Sequence, residues 1–255
     1  KIFGRQILDS RGNPTVEVEI ILNNGIKSRA SVPSGASTGE HEAIEKRDND
    51  NSKYLGKGVS EVINDINFEI NNNLQGLLPF DQEKIDQKLI ELDGTKNKSR
   101  LGANALLGVS LAISRVSAKA KNESLYKYLS HNKDFVLPTP LMNFINGGAH
   151  ANNSLDFQEI MIMPVGAKSF SEALRWGAEI FHHLKKILSD NLYSTSVGDE
   201  GGFSPQIKSV DEALELLCKA IENSGRNLEN EIKFAIDAAA SEFFSNNYYQ
   251  MHNGE

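Results

Sequence analysis

The spacing of apolar residues in the first half of the chain predicts a sheet followed by helices. Apolar and acidic side chains alternate over residues 15–22, which is the period of a strand with one buried face. The turn residues Asn23-Asn24-Gly25 predict a hairpin into a second strand over residues 26–32. Apolar residues then recur at helical spacing over 59–70, 85–92 and 101–116. This order predicts an α+β domain.

The pattern changes near Leu137-Pro138-Thr139-Pro140, where a polar stretch ends. We therefore expect one domain over residues 1–134 and a second over 135–255. The second half predicts strands at 141–145, 158–163 and 231–237, separated by amphipathic helices at 170–188 and 210–223. Such alternation favours a parallel α/β sheet or barrel. About three strands are predicted, whereas a closed barrel of this kind needs about eight, so we expect an incomplete, open barrel.

Composition excludes several classes of protein. The 255 residues are 39% hydrophobic and 24% charged, which is typical of a soluble globular protein. The net charge of -7 argues against a general nucleic-acid surface. The single cysteine, Cys218, is predicted to be buried in a helix. One cysteine cannot form an intrachain disulfide, which fits a reducing cytoplasm. No apolar run approaches the roughly 20 residues that span a bilayer, and the N-terminus has no signal-peptide pattern.

The first candidate site is the loop that leads into the predicted strand 158–163. Gly147 and Gly148 give the backbone freedom to fold His150 over a ligand. Gln158 and Glu159 head the strand itself, and the apolar residues that follow would anchor them. The pattern indicates an imidazole beside an acid on a rigid element, although an ordinary loop can look similar.

Two further segments carry acids. Asp199 and Glu200 lie among three glycines, where one of them is a credible proton donor; the alternative is a turn with solvated acids. Asp237 ends an apolar strand, which is where α/β folds gather their sites, and its carboxylate suits a hard divalent cation. Asp237 could instead cap a following helix.

The loop Ser34–Glu42 is rich in small and hydroxylated residues, with glycines on both sides of Ser37 and Thr38. It could close as a lid, and the oxygen of Ser37 suits magnesium. Loops of this composition are common and often only flexible, so the motif carries little weight by itself.

Taken together, these segments closely resemble the enolase family. The resemblance runs from about Ile2 to Phe244. It is carried by Asp9–Glu19, the Ser34–Glu42 loop, Leu92–Thr95, Leu101–Ala105, Asn146–Glu159 and Val197–Gly202. It implies an N-terminal α+β domain followed by an α/β, TIM-like barrel, of which about three strands are present here. It also implies reversible dehydration of 2-phosphoglycerate to phosphoenolpyruvate with two Mg²⁺ ions.

The resemblance assigns a role to each candidate residue. Glu200 resembles the general acid that protonates the departing hydroxyl, and Glu159 resembles its helper. His150 and Gln158 resemble residues on the substrate side. Ser37 resembles the lid ligand of the second Mg²⁺, and also contributes to the substrate site. Asp237 resembles the first of three carboxylates on the first Mg²⁺.

The family's other metal carboxylates, its lysine base and its phosphate-binding cations have no counterpart in these residues. We therefore expect residues 1–255 to be inactive by themselves and prone to aggregate at the open sheet edge. One alternative is a relative in the enolase superfamily that acts on another acid. Another is a non-catalytic role, because enolases are known to bind plasminogen at cell surfaces and to join RNA-degrading assemblies.

The resemblance also bears on assembly and location. Enolases are usually homodimers, sometimes larger oligomers, and the strand that contains Glu17 resembles the surface through which they pair. It implies a cytoplasmic protein, with display at the cell surface or secretion without a signal peptide as further possibilities.

Overall fold

The computed structural model describes residues 1–35, 38–130, 134–198 and 200–251. The chain divides into two compact units. The first comprises Lys1–Gly35 and His41–Phe135, and the second comprises Ala36–Glu40 and Val136–Glu255.

The first unit is built on a three-stranded antiparallel sheet with strands in chain order, β1 (Ile2–Leu8), β2 (Pro14–Ile21) and β3 (Lys27–Ser31). The predicted hairpin of β2 and β3 is confirmed. Strand β1 was not predicted, because polar Arg5 and Gln6 interrupt its apolar pattern.

The acidic face of β2 is less exposed than its alternation indicates. Glu17 is only 8% exposed, because guanidinium groups from both neighbouring strands cover it. Its Oε1 lies 3.0 Å from Nη1 of Arg5 and 3.6 Å from Nη1 of Arg29. The prediction that Glu17 lies on a solvent-exposed face was therefore wrong. Its carboxylate is paired with two guanidinium groups instead of being hydrated by water.

The helices of the first unit cover the other face of the sheet. They are α1 (Ser60–Asp65), which continues through a π-helical turn (Ile66–Ile70) into α2 (Asn71–Leu74), then α3 (Gln82–Asp93), α4 (Ala103–Ala120) and α5 (Leu125–Leu129). The apolar face of α4 packs on β2 and β3. Gly108 allows this close approach, because a Cβ there would lie 2.9 Å from Cγ2 of Val18. The three predicted helical stretches are confirmed; α5 was too short for its period to be seen.

The second unit contains an open sheet with the order β4 (Met142–Asn146), β5 (Glu159–Met163) and β6 (Lys233–Asp237). The three predicted strands are confirmed, but the prediction of parallel neighbours was wrong. Strand β5 runs antiparallel to both β4 and β6. The loop that joins β4 to β5 contains only a short 3₁₀ turn (Gly148–His150) and no α-helix, and two α-helices lie between β5 and β6. Each arrangement reverses the next strand, whereas a single crossover helix would keep it parallel.

These two helices, α6 (Phe170–Asp190) and α7 (Val210–Asn223), pack on each other and on one face of the sheet. A serine caps the start of each helix: the hydroxyl of Ser169 accepts the backbone N–H of Glu172, and that of Ser209 accepts the N–H of Glu212, three residues later in each case and at 3.2 Å. The core contains Phe144, Ile145, Ile160, Ile162, Trp176, Ile180, Leu184, Leu188, Phe203, Leu217, Ile221 and Ile232.

Cys218 lies at the border of the buried face of α7 and is half-buried rather than buried. Burial raises the pKa of its thiol, and the nearby Glu222 and Glu215 raise it further. Because Cys218 is half-buried, the expectation of full burial was wrong. Its raised pKa disfavours the reactive thiolate form.

The last described elements are a 3₁₀ turn (Ala240–Glu242) and a short hairpin of β7 (Phe244–Ser245) and β8 (Tyr248–Tyr249). Within the described part of the chain, no helix has both the length and the apolar character needed to cross a membrane.

Two leucines on α6 test whether this helix holds the second unit together. Leu184 is fully buried and Leu174 is 55% exposed. We expect Leu184→Ala to lower the free energy of unfolding by about 2–5 kcal/mol, because it leaves a cavity in the core. The control Leu174→Ala should change it by less than about 0.5 kcal/mol. Urea denaturation measures both, and equal effects would contradict the packing described.

Candidate active site

The loop between β4 and β5 folds back on itself and places His150. The N–H of Gly147 donates to the carbonyl of Gln158 at 2.9 Å, and that of Gly148 donates to Leu155 at 2.7 Å. A Cβ at Gly147 would lie 3.0 Å from the carbonyl oxygen of Leu155, and Gly148 has a φ of +50°. Both glycines are therefore required by close packing and backbone conformation, and not only as hinges.

His150 and Glu159 meet across this loop, as the sequence indicates. The side chain of His150 is only 4% exposed, and its Nδ1 lies 3.5 Å from Oε1 of Glu159, whose side chain is 18% exposed. Glu159 is the first residue of β5, so its backbone is held by the sheet. At this separation the imidazole and the carboxylate interact electrostatically, whereas proton transfer between them needs a shorter distance.

Glu200 comes from a tight turn after α6. The N–H of Gly198 donates to the carbonyl of Gly202 at 2.8 Å, and Gly201, with φ +80°, donates to Gly198 at 3.0 Å. Glu200 is exposed at the tip of this turn. One ligand atom from each of His150, Glu159 and Glu200 can be chosen so that all lie within 4.8 Å of one another. Asp199 lies outside the described residues.

Asp237 is the last residue of β6 and lies opposite Glu159 in the sheet register. The N–H of Gln158 donates to the backbone carbonyl of Asp237 at 3.0 Å. The carboxylate accepts the N–H of Ala239 at 2.9 Å through Oδ1, and the side chain remains exposed. Asp237 thus stabilises a local turn and does not cap a helix directly, which leaves its other oxygen accessible.

Gln158 is 4% exposed at the junction of the loop and β5. Its side-chain Oε1 is buried and accepts no hydrogen bond from the described residues. A buried amide oxygen without a hydrogen-bond donor lowers the stability of the fold. An unpaired amide oxygen of this kind fits a side chain that binds a ligand.

The carboxylates in this group repel one another. The pKa of Glu159 is raised above its ordinary value of 4.5, first because of burial, and then because of the charges of Asp237 and Glu200; His150 opposes this shift. Glu159 therefore keeps its proton to a higher pH than a solvent-exposed glutamate does, which suits a group that donates a proton.

The donor set fits a hard divalent cation in part. Carboxylate oxygens of Asp237, Glu159 and Glu200 are the ligands that Mg²⁺ prefers, whereas the imidazole of His150 is not. Ser37, the other predicted metal ligand, lies outside the described residues. The close group contains His150, Glu159 and Glu200, and Asp237 adjoins it through Glu159.

Comparison with protein families identifies the family. The model of the N-terminal domain of enolase matches residues 1–129, and the model of the C-terminal TIM barrel domain of enolase matches residues 134–255. The chain belongs to the enolase family. Strands β4–β6 are accordingly part of an enolase barrel. The enolase family is a family of lyases that is typically metal-dependent.

The enolase motifs contain one residue whose importance the sequence did not reveal. Asn146, the last residue of β4, is fully buried, and its side-chain amide donates to the carbonyl of Gly202 in the Glu200 turn at 3.3 Å. A polar residue before two glycines reads as an ordinary turn signal, so only the tertiary structure shows this contact.

The raised pKa of Glu159 predicts how stability depends on pH. Because the folded pKa exceeds the unfolded one, the folded state binds more protons between these two values, and stability falls as the pH rises through that window. We expect Glu159→Gln to raise the melting temperature above the window and to bring no comparable gain below it. Thermal denaturation from pH 4 to pH 8 in the presence of EDTA measures this.

The matched control is Glu215→Gln, because Glu215 is exposed on α7. This control should leave the pH profile of the melting temperature unchanged. A Glu159→Gln variant that is less stable than the wild type at pH 8 would contradict the repulsion described.

Proposed function

We propose that this enolase-family protein catalyses the Mg²⁺-dependent, reversible dehydration of 2-phosphoglycerate to phosphoenolpyruvate. One observation carries the proposal: His150, Glu159 and Glu200 converge within 4.8 Å at the ends of elements in an enolase barrel. The reaction removes a proton from carbon 2 and hydroxide from carbon 3. Its second half requires a protonated acid, because hydroxide leaves as water.

Glu200 is the residue that we assign to this proton transfer. It is exposed at the tip of a turn, and backbone hydrogen bonds hold the backbone of this turn in place. Glu159 lies beside it, and the charge of Glu200 contributes to the raised pKa of Glu159. Glu200 donates the proton to the departing hydroxyl, and Glu159 assists it.

Asp237 and Ser37 are the residues that we assign to Mg²⁺, and Ser37 also to the substrate side of the site. The ions would stabilise the extra negative charge that develops when a proton leaves carbon 2 beside a carboxylate. Asp237 supports this role with an exposed carboxylate whose Oδ1 is held by the N–H of Ala239. Gln158, whose side-chain oxygen accepts no hydrogen bond from the described residues, is assigned to the substrate side of the site.

Residues 1–255 alone are proposed to be inactive. The charged groups that shift the pKa of Glu159 are two carboxylates and one histidine. A triply charged substrate brought to this group needs cations for its phosphate and a base for its proton, and the enolase resemblance assigns these roles to residues without counterparts here. A polypeptide limited to residues 1–255 should therefore show no turnover of 2-phosphoglycerate.

The role of Glu200 is tested in the full-length gene product by Glu200→Gln. We expect kcat to fall by about 10²–10⁴-fold, because the amide cannot supply the proton. The increase in ultraviolet absorbance as phosphoenolpyruvate forms measures the rate, and Glu215→Gln is the control. Wild-type protein that folds and binds Mg²⁺ but does not dehydrate 2-phosphoglycerate would sink the proposal and favour a non-catalytic role.

The role of Asp237 is tested by its dependence on metal. We expect EDTA to abolish turnover and added Mg²⁺ to restore it. Asp237→Ala should raise the Mg²⁺ concentration needed for half-maximal rate by at least about tenfold, because a carboxylate ligand is lost. The control Asp190→Ala removes an exposed carboxylate on α6 and should leave the Mg²⁺ dependence unchanged. An unchanged requirement in Asp237→Ala would exclude Asp237 as a ligand.

A further inference from the structure

Asn146 is 0% exposed, and both its backbone and its side chain are hydrogen-bonded. Its N–H donates to the carbonyl of Phe203 at 2.9 Å, and its own carbonyl accepts Nδ2 of Asn153 at 2.9 Å. The side-chain Nδ2 donates to the carbonyl of Gly202 at 3.3 Å, and Oδ1 accepts Nδ2 of Asn143. Asn146 therefore joins strand β4 to two other segments of the second unit: to Gly202 through its side-chain amide, and to Asn153 through its backbone carbonyl.

Two of these segments carry the reactive groups. Gly202 and Phe203 end the turn that presents Glu200, and Asn153 belongs to the loop that presents His150. Asn153 is itself held at both sides, because its Nδ2 also donates to the carbonyl of Pro205 at 3.1 Å. Asn146 thus lies between the loop and the turn and is bonded to each.

The glycines of the turn are explained by the same amide. A Cβ at Gly202 would lie 2.7 Å from Oδ1 of Asn146. A Cβ at Gly198 would lie 3.0 Å from the carbonyl oxygen of His150 and 3.1 Å from Oγ of Ser204. Real Cβ atoms rarely approach other atoms so closely, so both positions exclude any larger residue. The backbones of the His150 loop and the Glu200 turn are therefore packed together around Asn146.

We propose that Asn146 is a positioning residue that fixes the His150 loop and the Glu200 turn relative to each other. It acts through its hydrogen bonds to these segments and does not touch the substrate. The amide suits this role because it donates to one carbonyl and accepts from another amide at the same time, which neither an aliphatic residue nor a carboxylate can do. The inference rests on the proposed dehydration for its effect on rate, but its structural part is independent of it.

The first test is Asn146→Ala in the full-length gene product. We expect kcat to fall by about 10²-fold, because a displacement of about 1 Å between the acid and its partner is enough for such a loss. KM should change little, because Asn146 makes no contact with substrate. Amide hydrogen exchange should become faster in residues 200–203, which lose the side-chain bond from Asn146. It should change less in the His150 loop, residues 147–158, because the backbone carbonyl at position 146 still accepts Nδ2 of Asn153.

Two further variants separate positioning from simple loss of stability. Asn153→Ala removes the bonds from the loop to Asn146 and Pro205, so we expect faster exchange in residues 147–158 and unchanged exchange in residues 200–203. Ser117→Ala removes a buried hydrogen bond to the carbonyl of Pro79 in the first unit. It should lower the melting temperature and leave kcat unchanged.

The outcomes are distinct. A fall in kcat for Asn146→Ala with faster exchange in residues 200–203 supports the proposal. Unchanged exchange in these residues, retained kcat, or an equal fall in kcat for Ser117→Ala overturns it. If Asn146→Ala does not fold, Asn153→Ala decides: a lower kcat with local exchange supports positioning, and an unchanged kcat overturns it. If the wild type does not dehydrate 2-phosphoglycerate, the proposed function fails, and the exchange data alone decide the positioning role.

Discussion

The register between β5 and β6 is the constraint on which the candidate site depends. It places Glu159, the first residue of β5, directly opposite Asp237, the last residue of β6. Two carboxylates from distant parts of the chain are thus brought together at one end of these strands. The turn after α6 then adds Glu200. Because neighbouring strand positions alternate between faces, a shift of one residue would turn Glu159 to the packed face and move Ile160 out of the core. The core residues Ile160 and Ile162 thus fix the site as well as the fold.

Like charges held in a partly buried group cost stability, and the rest of the second unit offsets this cost. The helices α6 and α7 bury a continuous apolar core against the sheet, and serine caps begin both helices. Asn146 bonds to the loop through its backbone carbonyl and to the turn through its side-chain amide, and thereby links the two segments that complete the site. The apolar core therefore lies on one face of the sheet, and the charged groups lie at the ends of its strands and in the adjoining loops, as is common at active sites.

The sequence predicted those features that depend on local pattern. Strands β2 and β5 and helices α6 and α7 have strong periodicity, and the structure places them within a few residues of the expected bounds. The group of His150, Glu159 and Glu200 was expected from the family resemblance, and the structure brings these three together, with Asp237 beside Glu159. Roles in catalysis and metal binding remain predictions.

Two of the failures have a common physical origin, which is that tertiary neighbours are invisible in a local pattern. The direction of β5 is a different failure: the two helices that follow it were predicted, but the general preference of alternating strands and helices for a parallel sheet was applied instead. The burial of Glu17 depends on Arg5 and Arg29, which come from other strands. The role of Asn146 depends on residues 202 and 203, more than fifty positions along the chain.

The most direct test of the site is the pKa of Glu159 itself, measured by ¹³C NMR on protein with labelled glutamate side chains, in metal-free buffer. The account predicts a pKa above 4.5 in the wild type, and a lower value in Asp237→Asn, because one of the charges that raises it is removed. A wild-type pKa at or below 4.5, or one that Asp237→Asn does not lower, would contradict the convergence of these carboxylates.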